Sequence, residues 1–101
     1  MPQTLLLADD SATIQRVVTL MFANEDIRVI AVGDGDAALA ALRSTPPDIV
    51  LADVDMPGPD GYALAAQVPA AAGRPLPVLL LAGAFDVVDE SLPRAVGAHQ
   101  V

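Results

Sequence analysis

The amino-acid sequence predicts an α/β fold, a doubly wound parallel sheet with helices on both of its faces. Two observations predict it. Short runs of consecutive apolar residues, typical of strands buried on both faces, recur along the chain. Segments with apolar residues at helical spacing alternate with these runs, and the links between them are short. Because crossovers between parallel strands are right-handed, this alternation leaves few other topologies.

The first third of the chain predicts a strand, a helix and a second strand. Residues 4–8 form an apolar run that stops at the acid pair Asp9-Asp10. Ser11 follows as a helix N-cap, and apolar residues then recur at steps of three and four as far as Phe22, which predicts an amphipathic helix. The partly alternating, β-branched residues 27–32 predict the second strand.

The middle of the chain predicts a second helix and a third strand that ends on a carboxylate. Residues 36–44 are rich in Ala and Leu and predict the helix, which Pro46-Pro47 stops. Residues 49–53 predict a buried strand that ends at Asp53, and the prolines and glycines of residues 57–61 impose a loop directly after it. Asp53 is therefore expected at the C-terminal edge of the sheet, where open α/β sheets bind their ligands.

The last elements are predicted from a weaker pattern. A third helix is expected over residues 61–68, with Asp60 as its N-cap and Pro69 as its end. The remaining elements are expected over residues 77–82 (a fourth buried strand), 86–96 (a weaker helix) and 98–101 (the opening of a fifth strand). We expect residues 1–101 to form one domain.

The composition excludes several classes of function. The net charge is −8, and the basic residues are five scattered Arg with no Lys, so direct binding to nucleic acid is not expected. Cysteine is absent, which excludes disulfides and thiol chemistry in these residues. No apolar run approaches the ~18 residues that cross a bilayer, and no signal-peptide pattern is found. We expect a cytoplasmic protein without a membrane partner.

Acidic residues end two of the predicted strands, and this pattern predicts a metal and phosphoryl site. If the strands that end at Asp9-Asp10 and at Asp53 are neighbours, three carboxylates meet at one edge. Like charges about 4 Å apart repel by about 4 kcal/mol at an effective dielectric constant near 20. Mg²⁺ relieves such repulsion, prefers oxygen ligands and binds phosphate oxygens. An Asp nucleophile beside it would form an aspartyl phosphate.

Each acidic group also has a purely structural interpretation. Asp9-Asp10 fits a helix N-terminus, which favours negative charge. Asp53 alone fits a polar strand end before a turn, and the string from Gly33 to Ala38 matches a dinucleotide fingerprint, although its two acids would repel a pyrophosphate. Asp53-Val54-Asp55 also resembles the Asp-x-Asp of haloacid-dehalogenase-type phosphatases, but Pro57 stands where that family has Thr or Val. The acids occur together at the ends of separate strands, which favours the metal and phosphoryl site.

Four segments carry a resemblance to a known family: Leu6-Leu7-Ala8-Asp9-Asp10-Ser11, Asp53-Val54-Asp55-Met56-Pro57-Gly58-Pro59-Asp60-Gly61, Pro77-Val78-Leu79-Leu80-Leu81 and Gly97-Ala98. With them, the sequence from Leu5 to Val101 resembles the receiver domain of two-component response regulators, including single-domain chemotaxis-type regulators. The resemblance implies a flavodoxin-like sheet of five parallel strands in the order 2-1-3-4-5.

The resemblance also implies roles for the acids. Asp53 would be the phospho-acceptor, taking a phosphoryl group from a sensor histidine kinase, and would also contact Mg²⁺. Asp10 would bind Mg²⁺ directly, Asp9 directly or through water, and the backbone carbonyl of Asp55 would be a further ligand. The output would pass to a downstream protein target. The protein would not be an enzyme in the ordinary sense, although it would aid its own phosphorylation and dephosphorylation.

The sequence departs from the family pattern at the end of the fourth strand and beyond. Ala82 stands where the family has Thr or Ser, so only the backbone N–H of Gly83 would contact the phosphoryl group there. The family Lys after the fifth strand is not reached at Val101, and the fifth helix is missing. A bare sheet face predicts a homodimer, or a sequence cut short in or after the fifth strand. These departures leave an alternative open, a pseudo-receiver that acts as a phosphorylation-independent protein interaction module.

Overall fold

The computed structural model describes residues 3–82, 86–87 and 99–100 of the chain. From residue 3 to residue 82, β-strands and α-helices alternate. The strands are β1 (Gln3–Ala8), β2 (Ile27–Val32), β3 (Ile49–Asp53), β4 (Val78–Ala82), β5 (Asp86–Val87) and β6 (His99–Gln100), and the helices are α1 (Ala12–Met21), α2 (Gly35–Ser44) and α3 (Gly61–Ala72).

The sheet has β1 and β3 at its centre. β1 pairs in parallel with β2 and with β3, and β3 pairs in parallel with β4, which gives the order 2-1-3-4. β6 also pairs in parallel with β4, at the position expected for the fifth strand, whereas the short β5 pairs with β4 in antiparallel fashion. The predicted flavodoxin-like α/β fold is confirmed, and because its central strands are parallel, their C-terminal ends lie at one edge.

Side chains of the strands alternate between two apolar cores, because successive residues of a strand point to opposite faces. From β1, Leu6 and Ala8 pack in the larger core, beneath α2 and α3, whereas Leu5 and Leu7 pack in the smaller core, against α1. Helices therefore cover both faces of the sheet, as the apolar runs predict. Within the described part of the chain, no helix has the length and apolar character needed to cross a bilayer.

Each helix begins at a side chain that accepts a backbone hydrogen bond. Ser11 caps α1, Asp34 caps α2 and Asp60 caps α3, each accepting from the N–H three residues later. Such caps satisfy donors that the first turn of a helix leaves free. They fix where the chain turns from the C-terminal edge of the sheet into a helix.

The third helix is longer than the sequence predicts. Pro69, expected to end it, lies inside α3, which continues to Ala72. Proline removes only one hydrogen bond, the one to the carbonyl of residue 65, and the following run of Ala has the highest helix propensity. The helix ends instead at Gly73, whose φ of 80° is in the left-handed region that glycine adopts easily.

The helix predicted over residues 86–96 is wrong at its start. Asp86 and Val87 form β5, which pairs with Ala82 and Leu81 of β4, so the backbone groups of Asp86 and Val87 are satisfied by the sheet rather than by a helix. The rest of that predicted helix, Gly83 and Val101 lie outside the described residues. Within residues 3–82, the bounds of the other predicted strands and helices differ from the observed ones by at most one residue at each end.

Candidate metal and phosphoryl site

Three carboxylates meet at the C-terminal edge of the sheet. Ala8 of β1 pairs in register with Ala52 of β3, so the residues that follow them, Asp9 and Asp53, lie side by side at the edge of the sheet. Carboxylate oxygens of Asp9, Asp10 and Asp53 lie within 4.8 Å of one another. The expected convergence of acids from separate strands is therefore found, while the role of each acid remains a prediction.

Asp9 is the most buried member of the cluster, with 3% of its surface exposed. Its Oδ1 accepts a hydrogen bond from the backbone N–H of Ser11 at 2.8 Å, and its own N–H donates to the carbonyl of Val32 at 3.0 Å. Burial raises the pKa of the Asp9 carboxyl above its usual value; the Ser11 hydrogen bond opposes the rise and the charge of Asp10 adds to it. The carboxylate is thus fixed in place and costly to ionise without a cation.

Asp53 is partly exposed, which leaves its carboxylate accessible from solvent. Its Oδ1 accepts a hydrogen bond from the backbone N–H of Asp55 at 3.2 Å. Burial is the largest cause that raises the pKa of Asp53, and the hydrogen bond from Asp55 lowers it. The charges of the neighbouring acids, Asp9 and Asp10 among them, raise that pKa again.

The donor set of this cluster fits a hard divalent cation. All its ligand atoms are carboxylate oxygens, which Mg²⁺ prefers. Among the described residues, the one ion pair joins Arg74 and Asp48, at 3.9 Å and before the start of β3. The described part of the chain therefore supplies no side-chain cation to offset the charge of the three acids. Burial, and to a smaller extent repulsion between the acids, raises the pKa of Asp9 and of Asp53, and a bound cation would offset both effects.

The other residues with predicted roles are Asp55, Ala82 and Gly83, and the structure describes the first two. Asp55 is exposed, two residues after the end of β3, and its N–H donates to Oδ1 of Asp53. Ala82 is the last residue of β4, next to Leu81, which pairs in register with Asp53. An alanine offers no hydroxyl at this position. Gly83 lies outside the described residues, so its predicted contact remains a prediction.

Two residues near the site are not predicted from the sequence. Gln15 of α1 donates from Nε2 to the carbonyl of Asp9 at 2.8 Å. Gly35, the first residue of α2, contacts the loop that follows Asp53. The local pattern carries no signal for either contact, because both depend on how close separate elements approach in the folded chain.

Comparison with known proteins agrees with this geometry. The family model of the response regulator receiver domain matches residues 5–101. The DNA-binding response regulator MtrA of Mycobacterium tuberculosis strain H37Rv is 34% identical over 98 residues, which cover 97% of this chain and 42% of MtrA. The chain thus spans less than half of the length of this relative.

Two solved structures are similar in both fold and sequence. The N-terminal domain of a response regulator receiver protein from Methanoculleus marisnigri JR1 has a TM-score of 0.80 and 32% identity, covering 94% of this chain and 76% of that one. The receiver domain of the sensor histidine kinase PA1611 from Pseudomonas aeruginosa PAO1 has a TM-score of 0.80 and 27% identity, covering 98% and 82%. The latter structure holds a magnesium ion coordinated in the active site cleft.

Proposed function

Because the chain belongs to the response regulator receiver domain family, we propose that Asp53 accepts a phosphoryl group from a histidine kinase in a Mg²⁺-dependent reaction of two-component signalling. Receiver domains are signalling domains rather than classical enzymes. The observation that carries the proposal is the convergence of Asp9, Asp10 and Asp53 within 4.8 Å at one sheet edge. Asp53 is the acceptor because its carboxylate is more accessible than the buried Asp9 and stands at the end of the central strand β3.

The proposed transfer is a displacement at phosphorus. A carboxylate oxygen of Asp53 attacks the phosphorus atom of a phosphohistidine, a P–O bond forms, and the P–N bond breaks with its electron pair left on the imidazole. Asp53 must be ionised for this attack. Among the described residues, the N–H of Asp55 donates to Oδ1 of Asp53, so this contact orients the carboxylate while Oδ2 remains for attack.

The proposed cation site consists of Asp9, Asp10 and Asp53 with the backbone carbonyl of Asp55. Mg²⁺ bound there would neutralise charge on the phosphoryl oxygens. The magnesium ion in the similar PA1611 receiver domain supports this assignment, as does the all-carboxylate donor set of this chain. Asp9, held by the Ser11 N–H, would contribute a fixed negative charge rather than a mobile one.

The proposal extends to location and partners. We propose a cytoplasmic domain with a sensor histidine kinase upstream and a protein target downstream, and with a homodimer as one form of output. Direct contact of these residues with nucleic acid is not proposed, although MtrA is a DNA-binding regulator. The reason is the net charge of −8 and the scattered Arg residues. The proposed domain comprises residues 1–101.

A small phosphodonor tests the acceptor role without knowledge of the kinase. Incubation with acetyl phosphate and Mg²⁺ is expected to add one phosphoryl group, located at Asp53 by mass spectrometry after borohydride trapping. Asp53→Asn should abolish the gain, whereas Asp26→Asn, an exposed acid before β2, should retain it. A chain that gains no Mg²⁺-dependent mass at Asp53 would refute acceptor function.

A second candidate function follows from Ala82. Thr or Ser is expected at this position from the family resemblance, and the 101 residues also contain no Lys. A phosphoryl group that makes the same contacts in two conformations cannot shift the balance between them. The alternative is therefore an interaction module that acts without phosphorylation. Beryllofluoride with Mg²⁺ separates the two functions, because only a switching receiver changes its structure or oligomeric state when the phosphoryl mimic binds.

A further inference from the structure

Gly35 lies against the loop that follows the proposed acceptor. We call residues 54–60, between β3 and α3, the acceptor loop. The backbone N–H of Gly35 donates to the carbonyl of Pro57 at 3.4 Å. A Cβ atom added at Gly35 would lie 2.1 Å from the carbonyl oxygen of Pro59 and 2.9 Å from its Cβ. The loop therefore rests on the start of α2 in space that any side chain at position 35 would fill.

The same loop holds the carboxylate of Asp53 at its other end. The N–H of Asp55 donates to Asp53 Oδ1 at 3.2 Å, and the N–H of Val54 donates to the carbonyl of Leu81 in β4 at 2.8 Å. Only one residue separates Asp55 from Pro57, the residue that Gly35 contacts. A displacement of the loop at Gly35 would also disturb its hydrogen bond to Pro57, and the N–H that orients Asp53 lies only two residues before Pro57 in the same loop.

We propose that Gly35 is a positioning residue for Asp53. Because Gly35 has no side chain, the acceptor loop can pack against the start of α2. This packing fixes the position of the Asp55 N–H, which orients the carboxylate of Asp53. The inference deepens the proposed function and rests on it for its chemical consequence, whereas its geometric part concerns the metal-free protein. No bond is formed or broken at Gly35, so its effect passes entirely through the loop.

Conformational freedom does not explain a glycine at this position. Among the described residues, the glycines with positive φ are Gly58 and Gly73, so the backbone of Gly35 is open to any residue. In a helix interior, glycine is about 1 kcal/mol less favourable than alanine. Propensity alone would therefore favour alanine at the start of α2, and the close approach of the Pro59 carbonyl is the physical reason that opposes it.

The size of the displacement sets the expected effect. Ordinary contacts of a Cβ begin at 3.4 Å, so an alanine at position 35 must move α2 and the loop apart by about 1.3 Å from the 2.1 Å contact. The atom it would meet is the backbone carbonyl oxygen of Pro59, which cannot move aside by a change of side-chain rotamer. A misplacement of about 1 Å from a remote change can cost about 100-fold in rate. We expect at least a tenfold loss.

The matched pair Gly35→Ala and Gly33→Ala tests the inference. Both changes add one methyl group before or at the start of α2, but at Gly33 the added Cβ meets nothing within 4 Å. At saturating Mg²⁺, the rate constant for modification of Asp53 by acetyl phosphate should fall about tenfold or more in Gly35→Ala. It should stay within about twofold of the parent chain in Gly33→Ala. An unchanged rate constant in folded Gly35→Ala would overturn the inference.

A spectroscopic readout separates positioning from loss of stability. In the metal-free protein at fixed pH, the amide resonance of Asp55 should move in Gly35→Ala and not in Gly33→Ala, because only the first change displaces the loop. An Asp55 resonance that stays in place would contradict the inference. If no chain is modified by acetyl phosphate, the proposed function fails, and this metal-free comparison still decides the geometric part.

A measurement on the unaltered chain covers the case in which Gly35→Ala does not fold. Titration with Mg²⁺ alone should move the amide resonance of Gly35 with the same midpoint as that of Asp55. The reason is that the Gly35 N–H contacts the acceptor loop, while the Asp55 N–H, within that loop, contacts the carboxylate of Asp53. The amide of Gly73, at the far end of α3, serves as the reference. A Gly35 resonance that moves no more than that of Gly73, while the Asp55 resonance does move, would overturn the inference. If neither resonance moves, the Mg²⁺ site of the proposed function fails instead.

Discussion

The side-chain amide of Gln15 joins the ends of two neighbouring strands directly below the acid cluster. Its Nε2 donates to the carbonyl of Asp9 at 2.8 Å and lies 3.3 Å from the carbonyl of Val32, the last residue of β2. The N–H of Asp9 donates to the same carbonyl of Val32 at 3.0 Å. A residue of α1 thus fixes the backbone that carries Asp9, independently of any cation.

Gln15→Met should therefore destabilise the protein by about 1 kcal/mol, because it leaves a partly buried carbonyl without its donor. Met keeps the length of the side chain and lacks the amide. The free energy of unfolding in urea measures the loss. Gln67→Met is the control, since the Gln67 amide bonds only within its own helix at an exposed position, and it should change the free energy by less than about 0.5 kcal/mol. Equal effects of the two changes would contradict a special role for Gln15.

Asp53→Asn should stabilise the metal-free protein at neutral pH by about 1 kcal/mol, a modest value because solvent screens a partly exposed carboxylate. The folded pKa of Asp53 is raised above the ordinary 3.8. Its contribution to stability is therefore present below pH 3.8 and is lost as the pH rises through the folded pKa. The stability of the variant minus that of the parent should grow over this interval and then level off.

Unfolding in urea across this pH range, with a chelator present, measures the difference. Asp26→Asn makes the same change in net charge at an exposed residue outside the cluster and is the control for that change. A difference for Asp53→Asn that shrinks with rising pH would mean that the cluster stabilises the charged form of Asp53, and would argue against the repulsion inferred at this site.

Mg²⁺ should raise the stability of the protein at neutral pH, because a ligand that binds only the folded state stabilises it by mass action. At a free concentration 100 times the dissociation constant, the gain is about 2.7 kcal/mol. Asp10→Asn, which removes one exposed carboxylate of the cluster, should abolish most of this gain, whereas Asp26→Asn should retain it. Thermal unfolding with and without Mg²⁺ measures it. A Mg²⁺ gain that survives Asp10→Asn would place the cation elsewhere.

The sequence predicts the fold and the acid cluster well because both depend on local pattern. Apolar runs mark β1, β3 and β4, and the residues that follow them mark the functional edge. The contacts of Gln15 and Gly35 are missed because they arise from the approach of elements far apart in the chain. The end of α3 is missed for a different reason. The helix loses less free energy at Pro69 than it gains from the neighbouring alanines and from its packing against α2.

Pro69→Ala should therefore stabilise the protein, by about 1 kcal/mol or more. The change restores a donor for the carbonyl of residue 65 and removes a residue that is about 3 kcal/mol less favourable than Ala in a helix interior. The greater freedom of the unfolded chain without proline offsets part of the gain. Pro69 is exposed, so no core contact is lost. Unfolding in urea measures the change, and a destabilised variant would show that the proline packs in a way that matters.

Ala82→Thr should strengthen the response to a phosphoryl mimic if the missing hydroxyl weakens the switch. Ala82 ends β4 next to Leu81, the residue paired with Asp53, so a threonine there would restore the hydroxyl that the family resemblance implies at this strand end. A donor that contacts the phosphoryl group more strongly in one conformation than in another shifts the balance between them. With beryllofluoride and Mg²⁺, more backbone amide resonances should move in Ala82→Thr than in the parent chain. Ala31→Thr, at an exposed position of β2, is the control and should match the parent. A parent chain that already responds as fully as Ala82→Thr would favour an intact switch, and no response from either would favour the interaction module.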